Sequence, residues 1–371
     1  MNNIIYLLLI LGSLNCTRHF NSTNPVEDGI KISSMEKEGI NSALITSIDS
    51  AITKGIYPNI HSLLIAKNNK LVYEKYWPSI NRIQDTMTMK LNGKDSLHFI
   101  TSITKSIVSA CIGIAIKQGK IKNVNQRIFD FFPEYSRQDT GLKSALTIRH
   151  LLTMSSGIKW DEDISYDNPE NSSTKMTANS NAVEFVLSQP MDFPPGKVWN
   201  YNSGGPQLLA AIIEKTTGKQ IDQFANEFLF KPLGIKNFKW SKYPGTEIPM
   251  ASGGLRLRSR DLLKFGLLYS NRGKWNGIQI VPDLWVNESF VSQIKARRGR
   301  EYGYLFYIFP DTINNKPLGI VAAVGNGDQR IYLDKSNGLI VVFTAGNYNN
   351  RNNVKNSYAI LKDYIYPALI H

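Results

Sequence analysis

The stretch "FITSITKSIVSACIGIAI", Phe99 to Ile116, places a Ser-x-x-Lys pair, Ser102 and Lys105, at the mouth of a long apolar run. The same spacing occurs at Ser34/Lys37, Ser172/Lys175 and Ser292/Lys295, so spacing alone selects none of them. A serine hydroxyl becomes a useful nucleophile only when something takes its proton. Residues three apart on a helix share a face. A lysine accepts a proton near neutral pH only where burial or neighbouring positive charge lowers its pKa. A helix amino terminus also aims backbone N–H groups at a developing oxyanion. The pair must therefore open a helix that runs into the core.

Only the first pair meets that requirement. After Lys105 come Ile107, Val108, Ala110, Cys111, Ile112, Ile114, Ala115 and Ile116, apolar nearly all round and so predicted to be buried. Ser34 lies in "SSMEKEG", a charged helix start. Ser172 lies in the polar loop "NPENSSTKMTANS", and Ser292 precedes the basic cluster "KARRGR". A lysine in those three places stays solvated and protonated. The competing reading of Ser102 and Lys105 is an N-cap serine beside a snorkelling lysine.

Outward from this stretch, residues 33–55 carry Met35, Ile40, Ala43, Leu44, Ile48, Ala51 and Ile52 at helical spacing, with Gly55 suited to the helix end. "HSLLIAKNNKLVYEKYW" reads as a hairpin around "KNNK". Residues 105–270 are mostly helical patches joined by loops rich in Asn, Ser, Gly and Pro. Strands return in "YGYLFYIF", "LGIVAAVG", "QRIYLD" and "GLIVVFTAG", and Val354 to Ile370 reads as a final amphipathic helix. The economical architecture is α/β (α+β): one antiparallel sheet built from both chain ends, flanked by the terminal helices, with a mainly helical subdomain inserted and the active site in the cleft between.

At 371 residues, 42 % hydrophobic and 20 % charged, the chain is ordinary for a soluble globular protein. Its net charge of +13 comes from scattered residues, which argues against nucleic-acid binding. Two Cys and five His without zinc-ligand spacing predict no metal site, and no cofactor is expected. Cys111, alone on an apolar stretch, reads as core packing. At the amino terminus, the apolar run Ile4 to Leu11 is too short to span a bilayer and fits the h-region of an export signal over residues 1–15. Cys16 follows it as in a bacterial lipoprotein box, where such a Cys becomes the lipidated first residue and anchors the protein to the membrane on its periplasmic or cell-surface side. No Lys or Arg precedes the run, so a plain secretory signal and an uncleaved or cytosolic segment are the competing readings. Residues 16–32 read as a tether, and 33–371 as the folded domain.

Beyond composition, the chain resembles the serine β-lactamase and penicillin-binding-protein superfamily, in its branch of class C β-lactamases, carboxylesterases and D-peptidases. The resemblance covers residues 60–350. Ser102-Ile-Thr-Lys105 matches the first motif, "LTIRHLLTMSSGI" the segment that follows, and "PPGKVWNYNSGGPQLLAAIIE" the segment of the Tyr-x-Asn motif; "FLFKPLGIKNFKW" and "ASGGLRLRSRDLLKFGLLYSNRGKWNG" are similar to further family segments. The resemblance implies an acyl-enzyme hydrolase. Ser102 would be the nucleophile, Lys105 its proton acceptor, and Tyr201 a second acid/base whose pKa the nearby lysine would lower. The oxyanion hole would join the Ser102 N–H to one on a strand edge near Gly325 and Asn326.

Two departures from the family pattern bear on substrate. Ser203 stands where the family has asparagine, as a shorter hydrogen-bonding group in the substrate site. The third motif, Lys-Thr-Gly or His-x-Gly, is Ala323-Val324-Gly325, which keeps the glycine and loses the cation; Arg330 is a candidate to compensate. Loss of that cation argues against β-lactamase or D-alanyl carboxypeptidase activity, which remains one alternative, a catalytically inactive binding protein being another. "YNSGG" with "GNGDQRIYLD" resembles the subgroup of 6-aminohexanoate-dimer hydrolases and esterases, which implies a small-molecule or short peptide-like ester or amide. Within "GIKWDED", Asp161, Glu162 and Asp163 read as a solvated loop, with cleft-facing acids as the alternative. Trp199, Trp240, Tyr304 and Phe306 read as core or cleft wall.

Overall fold

Two asparagines make the first hairpin. Asn68 and Asn69 both have positive φ, 51° and 62°, the requirement of a two-residue turn whose twist matches its strands. They join β1 (Ile60–Lys67) to β2 (Lys70–Tyr76). The computed structural model describes residues 28–83, 86–90, 92–313, 316–317, 319–349 and 356–370. The export segment 1–15, Cys16 and the tether up to residue 27 lie outside them.

From the other chain end come β3 (Ile294–Lys295), β4 (Glu301–Tyr302), β5 (Tyr307–Phe309), β6 (Ile320–Gly325), β7 (Gln329–Asp334) and β8 (Leu339–Ala345). They form one antiparallel sheet with the first hairpin, in the order β3-β4-β5-β6-β7-β8-β1-β2. The strands from the two chain ends meet at β8 and β1, as the sequence pattern anticipates. Both faces are covered, so the central strands read as apolar runs rather than alternating ones. Along β1, Leu63 and Ile65 pack with α1 (Ser42–Thr53) and the carboxy-terminal helix. Leu64 and Ala66 pack on the opposite face with α2 (Ile103–Lys117) and the body of the helical region.

The structure revises four boundaries. The helix expected from residue 33 begins at Ser42: Gly39, at φ 71°, ends a short 3₁₀ turn, and the Asn41 side chain caps Ala43 and Leu44. The tether ends early, because Ile30 is buried and the Asp28 carboxylate pairs with the buried Arg260. "YGYLFYIF" is broken between β4 and β5, where Leu305 has φ 62° and its N–H and C=O bond Leu152 and Ser106. The last helix, among the described residues, runs Ser357–Ile360 and continues as a π turn, Leu361–Ile365. The helical region also divides. α3 (Gly204–Thr217) lies within it, whereas α4 (Ser259–Ser270) lies on the sheet, its Gly266 closing on Ile331 and Ile340.

Candidate active site

Helix α2 is buried along nearly its whole length, and Ser102 stands at its mouth. The residue before it, Thr101, has φ 47°. A β-branched residue in that region is strained, and such strain is commonly stored at functional positions. Ser102 makes no capping hydrogen bond to the helix. Its Oγ instead accepts from Lys105 Nζ at 2.9 Å. Lys105 does not snorkel: it is 2 % exposed, and Nζ also donates to the Ser252 carbonyl at 2.6 Å. Burial lowers Lys105 from its ordinary 10.5 to about 8, with the Glu162 carboxylate acting in the opposite direction. The other three pairs lie elsewhere: Lys37, Lys175 and Lys295 are all exposed, and Lys175 pairs with Glu170.

Tyr201 arrives on the loop before α3, with Lys105 Nζ 4.9 Å from the centre of its ring. Met154, at φ 55°, holds this loop through bonds from Asn200 N to its carbonyl and Asn202 N to its sulfur. The expected lowering of the tyrosine is corrected. Burial, with the Glu162 charge adding to it, pushes the Tyr201 phenol above its ordinary 10, and a hydrogen bond with Ser102 opposes this. The ammonium sits over the ring face while a buried carboxylate lies nearby, so the phenol rests protonated.

That carboxylate corrects a second expectation. Asp161 and Asp163 are exposed, as a solvated loop requires, but Glu162 is 7 % exposed. It accepts from Ser203 N at 2.6 Å, Ser203 Oγ at 2.8 Å, Trp160 Nε1 at 2.6 Å and Tyr166 OH at 3.1 Å. Ser203 is therefore turned away from the cleft onto Glu162. A charge run gives no sign of this, because the donors come from a tryptophan, a tyrosine and a serine up to 41 positions away.

Opposite Ser102 lies the end of β6. An added Cβ at Gly325 would stand 2.4 Å from the Ile100 carbonyl and from Thr101 Oγ1, so only glycine lets this strand close on the nucleophile segment. Thr101 Oγ1 donates to the Asn326 carbonyl at 3.0 Å. Ser102, Tyr201, Gly325 and Asn326 share one cavity of about 290 Å³, which Tyr166, Tyr307 and Arg330 also line. Trp199 packs behind Tyr201 and Tyr307, while Trp240, Tyr304 and Phe306 are core. Arg330 lies in the cavity wall, but its guanidinium is engaged: Nη1 donates to Gly325 O at 2.6 Å and Gln329 O at 2.8 Å, and Nη2 pairs with Asp328 at 3.2 Å. Among the described residues no cluster of side chains could hold a metal ion.

Such a site, a buried low-pKa amine on a serine hydroxyl facing a strand end, can move a proton off the serine and offer backbone donors to the resulting oxyanion. Comparison with known proteins agrees with the geometry. A family model described as Beta-lactamase matches residues 61–364. An Escherichia coli (strain K12) protein named "Putative D-alanyl-D-alanine carboxypeptidase" is 27 % identical over 236 residues, 58 % of this chain and 54 % of that protein. The chain spans about half the length of the curated relatives it matches. Among solved structures, one described as "Putative 6-aminohexanoate-dimer hydrolase from Bacillus anthracis" superposes with a TM-score of 0.66 at 21 % identity, over 88 % of this chain and 80 % of the other. A family VIII carboxylesterase gives 0.69 at 15 % identity, over 91 % and 99 %. At these identities the two structures show the shared fold.

Proposed function

The chain belongs to the beta-lactamase family, and from that premise we propose that it is an exported serine hydrolase that cleaves an ester or amide through an acyl-enzyme on Ser102. The observation that carries this reading is the Lys105 ammonium, buried, held at about 8 and 2.9 Å from Ser102 Oγ. Neutral Lys105 takes the hydroxyl proton as Oγ bonds the substrate carbonyl carbon. The oxyanion is received by backbone N–H groups of Ser102 and of the strand end at Gly325 and Asn326. The tetrahedral adduct collapses, and the leaving group departs with a proton from Tyr201, whose raised pKa keeps it a donor; Lys105 returns its proton to the phenolate. Water then attacks the acyl carbon, and the acid leaves with Ser102 restored. Export and attachment at Cys16 rest on the sequence alone.

Charge in the cavity wall supports this substrate class. The cation in the cavity wall, Arg330, is paired with Asp328 and bonded to two carbonyls, so a substrate carboxylate gains little there. The test is a panel of p-nitrophenyl butyrate, a linear amide dimer, a penicillin and a D-alanyl-D-alanine peptide, with wild type beside Ser102→Ala. The expected result is ester or amide turnover about 10³-fold or more above the variant, with slow acylation by penicillin. Equal rates in the two proteins on every substrate would favour a binding role. Fast, lasting penicillin acylation would overturn the substrate class.

A further inference from the structure

We infer that Arg330 is a positioning residue for the oxyanion site, acting through the peptide that joins Gly325 to Asn326. The inference rests on the hydrolase reading above and adds a residue that the catalytic motifs do not contain. A trans peptide points its C=O and N–H in opposite directions. A guanidinium held at 2.6 Å from Gly325 O therefore fixes the direction of the Asn326 N–H on the far side of the same plane. It also polarises that peptide, since an amide whose carbonyl accepts a charged hydrogen bond donates more strongly.

The guanidinium is itself held by a chain of contacts reaching the carboxy-terminal helix. Asp328, which pairs with Arg330 Nη2, is buried and has φ 69°, a conformation in which a non-glycine residue is strained. Its carboxylate accepts from Ser357 N and Ser357 Oγ, both at 2.7 Å, and Tyr332 OH lies 3.2 Å from the same Ser357 Oγ. On the other side, Thr101 Oγ1 grips the Asn326 carbonyl. The strand end facing Ser102 is thus clamped between the residue preceding the nucleophile and an arginine on the adjacent strand. The family's missing third-motif cation has a counterpart in the chain, but one directed at backbone rather than at substrate.

The experiment compares wild type with Arg330→Gln and with the double variant Arg330→Gln/Asp328→Asn, which leaves no unpaired buried charge and so keeps the fold if the single variant does not. Steady-state hydrolysis of p-nitrophenyl butyrate is measured beside inhibition by phenylboronic acid, whose tetrahedral adduct on the serine mimics the oxyanion. The expected result is a fall in kcat of about 10–100-fold in both variants, with KM within about threefold of wild type and boronate affinity falling by the same factor as kcat. A purely structural role would lower the active fraction, and with it apparent kcat at unchanged KM, but would leave the boronate affinity of the remaining active molecules at the wild-type value, an outcome that overturns the inference. Variants that fold and keep wild-type kcat, while wild type shows Ser102-dependent turnover, overturn this inference and leave the hydrolase reading standing. Absence of Ser102-dependent turnover in the wild type overturns both.

Discussion

Lys105→Met is expected to lower kcat/KM on an ester by about 10²–10⁴-fold, the range in which a positioned acid/base group contributes, and to do so in a protein at least as stable as wild type. The two halves of this expectation have one cause. Burial holds Lys105 at about 8 in place of 10.5. The unfolded chain keeps that proton up to the higher value, so between about 8 and 10.5 it binds more protons than the folded one and stability rises with pH. Below about 8 the full cost stands, about 3 kcal/mol against the native state at pH 7. Methionine removes that cost, set against the loss of hydrogen bonds to Ser102 and Ser252. In wild type, kcat/KM should rise with pH through about 8, as neutral lysine accumulates, and then level while Tyr201 stays protonated. Urea unfolding beside pH-dependent hydrolysis reads both; a variant that loses activity only because it melts would contradict the assignment.

Glu162→Ala is expected to destabilise the protein by about 3–5 kcal/mol, the range for removing a buried charged acceptor and orphaning its donors. Four donors lose their partner: the Ser203 N–H and hydroxyl, the Trp160 indole and the Tyr166 phenol. Two of these belong to the turn that carries Tyr201, and Tyr166 lines the cavity, so activity should fall with stability. Glu162→Gln separates packing from charge. The carboxylate raises both Lys105 and Tyr201, so its neutral isostere should move the rising limb of the pH profile to lower pH. A denaturant midpoint unchanged in the alanine variant, or a limb unmoved in the glutamine variant, would remove Glu162 from this account.

The contrast between these two residues shows where the sequence is legible. Ser102 and Lys105 stand out because the apolar positions after them occupy every side of a helix, which a solvated helix cannot do, and the Asn68-Asn69 hairpin stands out because its turn needs two residues that tolerate positive φ. Meeting of the two chain ends in one sheet follows from strands at both termini. Glu162 is hidden because its burial depends on hydrogen-bond donors brought together by the fold, and a WDED run carries the pattern of a surface loop. Tyr201 is visible only through family resemblance, and its pKa depends on where Lys105 stands relative to the ring, which no spacing encodes. Arg330 reads from sequence as a possible substrate cation; its partners, Gly325 and Asp328, become apparent only once β6 and β7 are paired.

The measurement that tests the central claim most directly is intact-mass analysis of the mature protein quenched within its first turnovers on p-nitrophenyl butyrate, followed by peptide mapping. The expected result is a covalent acyl adduct on the peptide containing Ser102, absent from Ser102→Ala. Turnover without an adduct there, or an adduct that persists in the alanine variant, would contradict it.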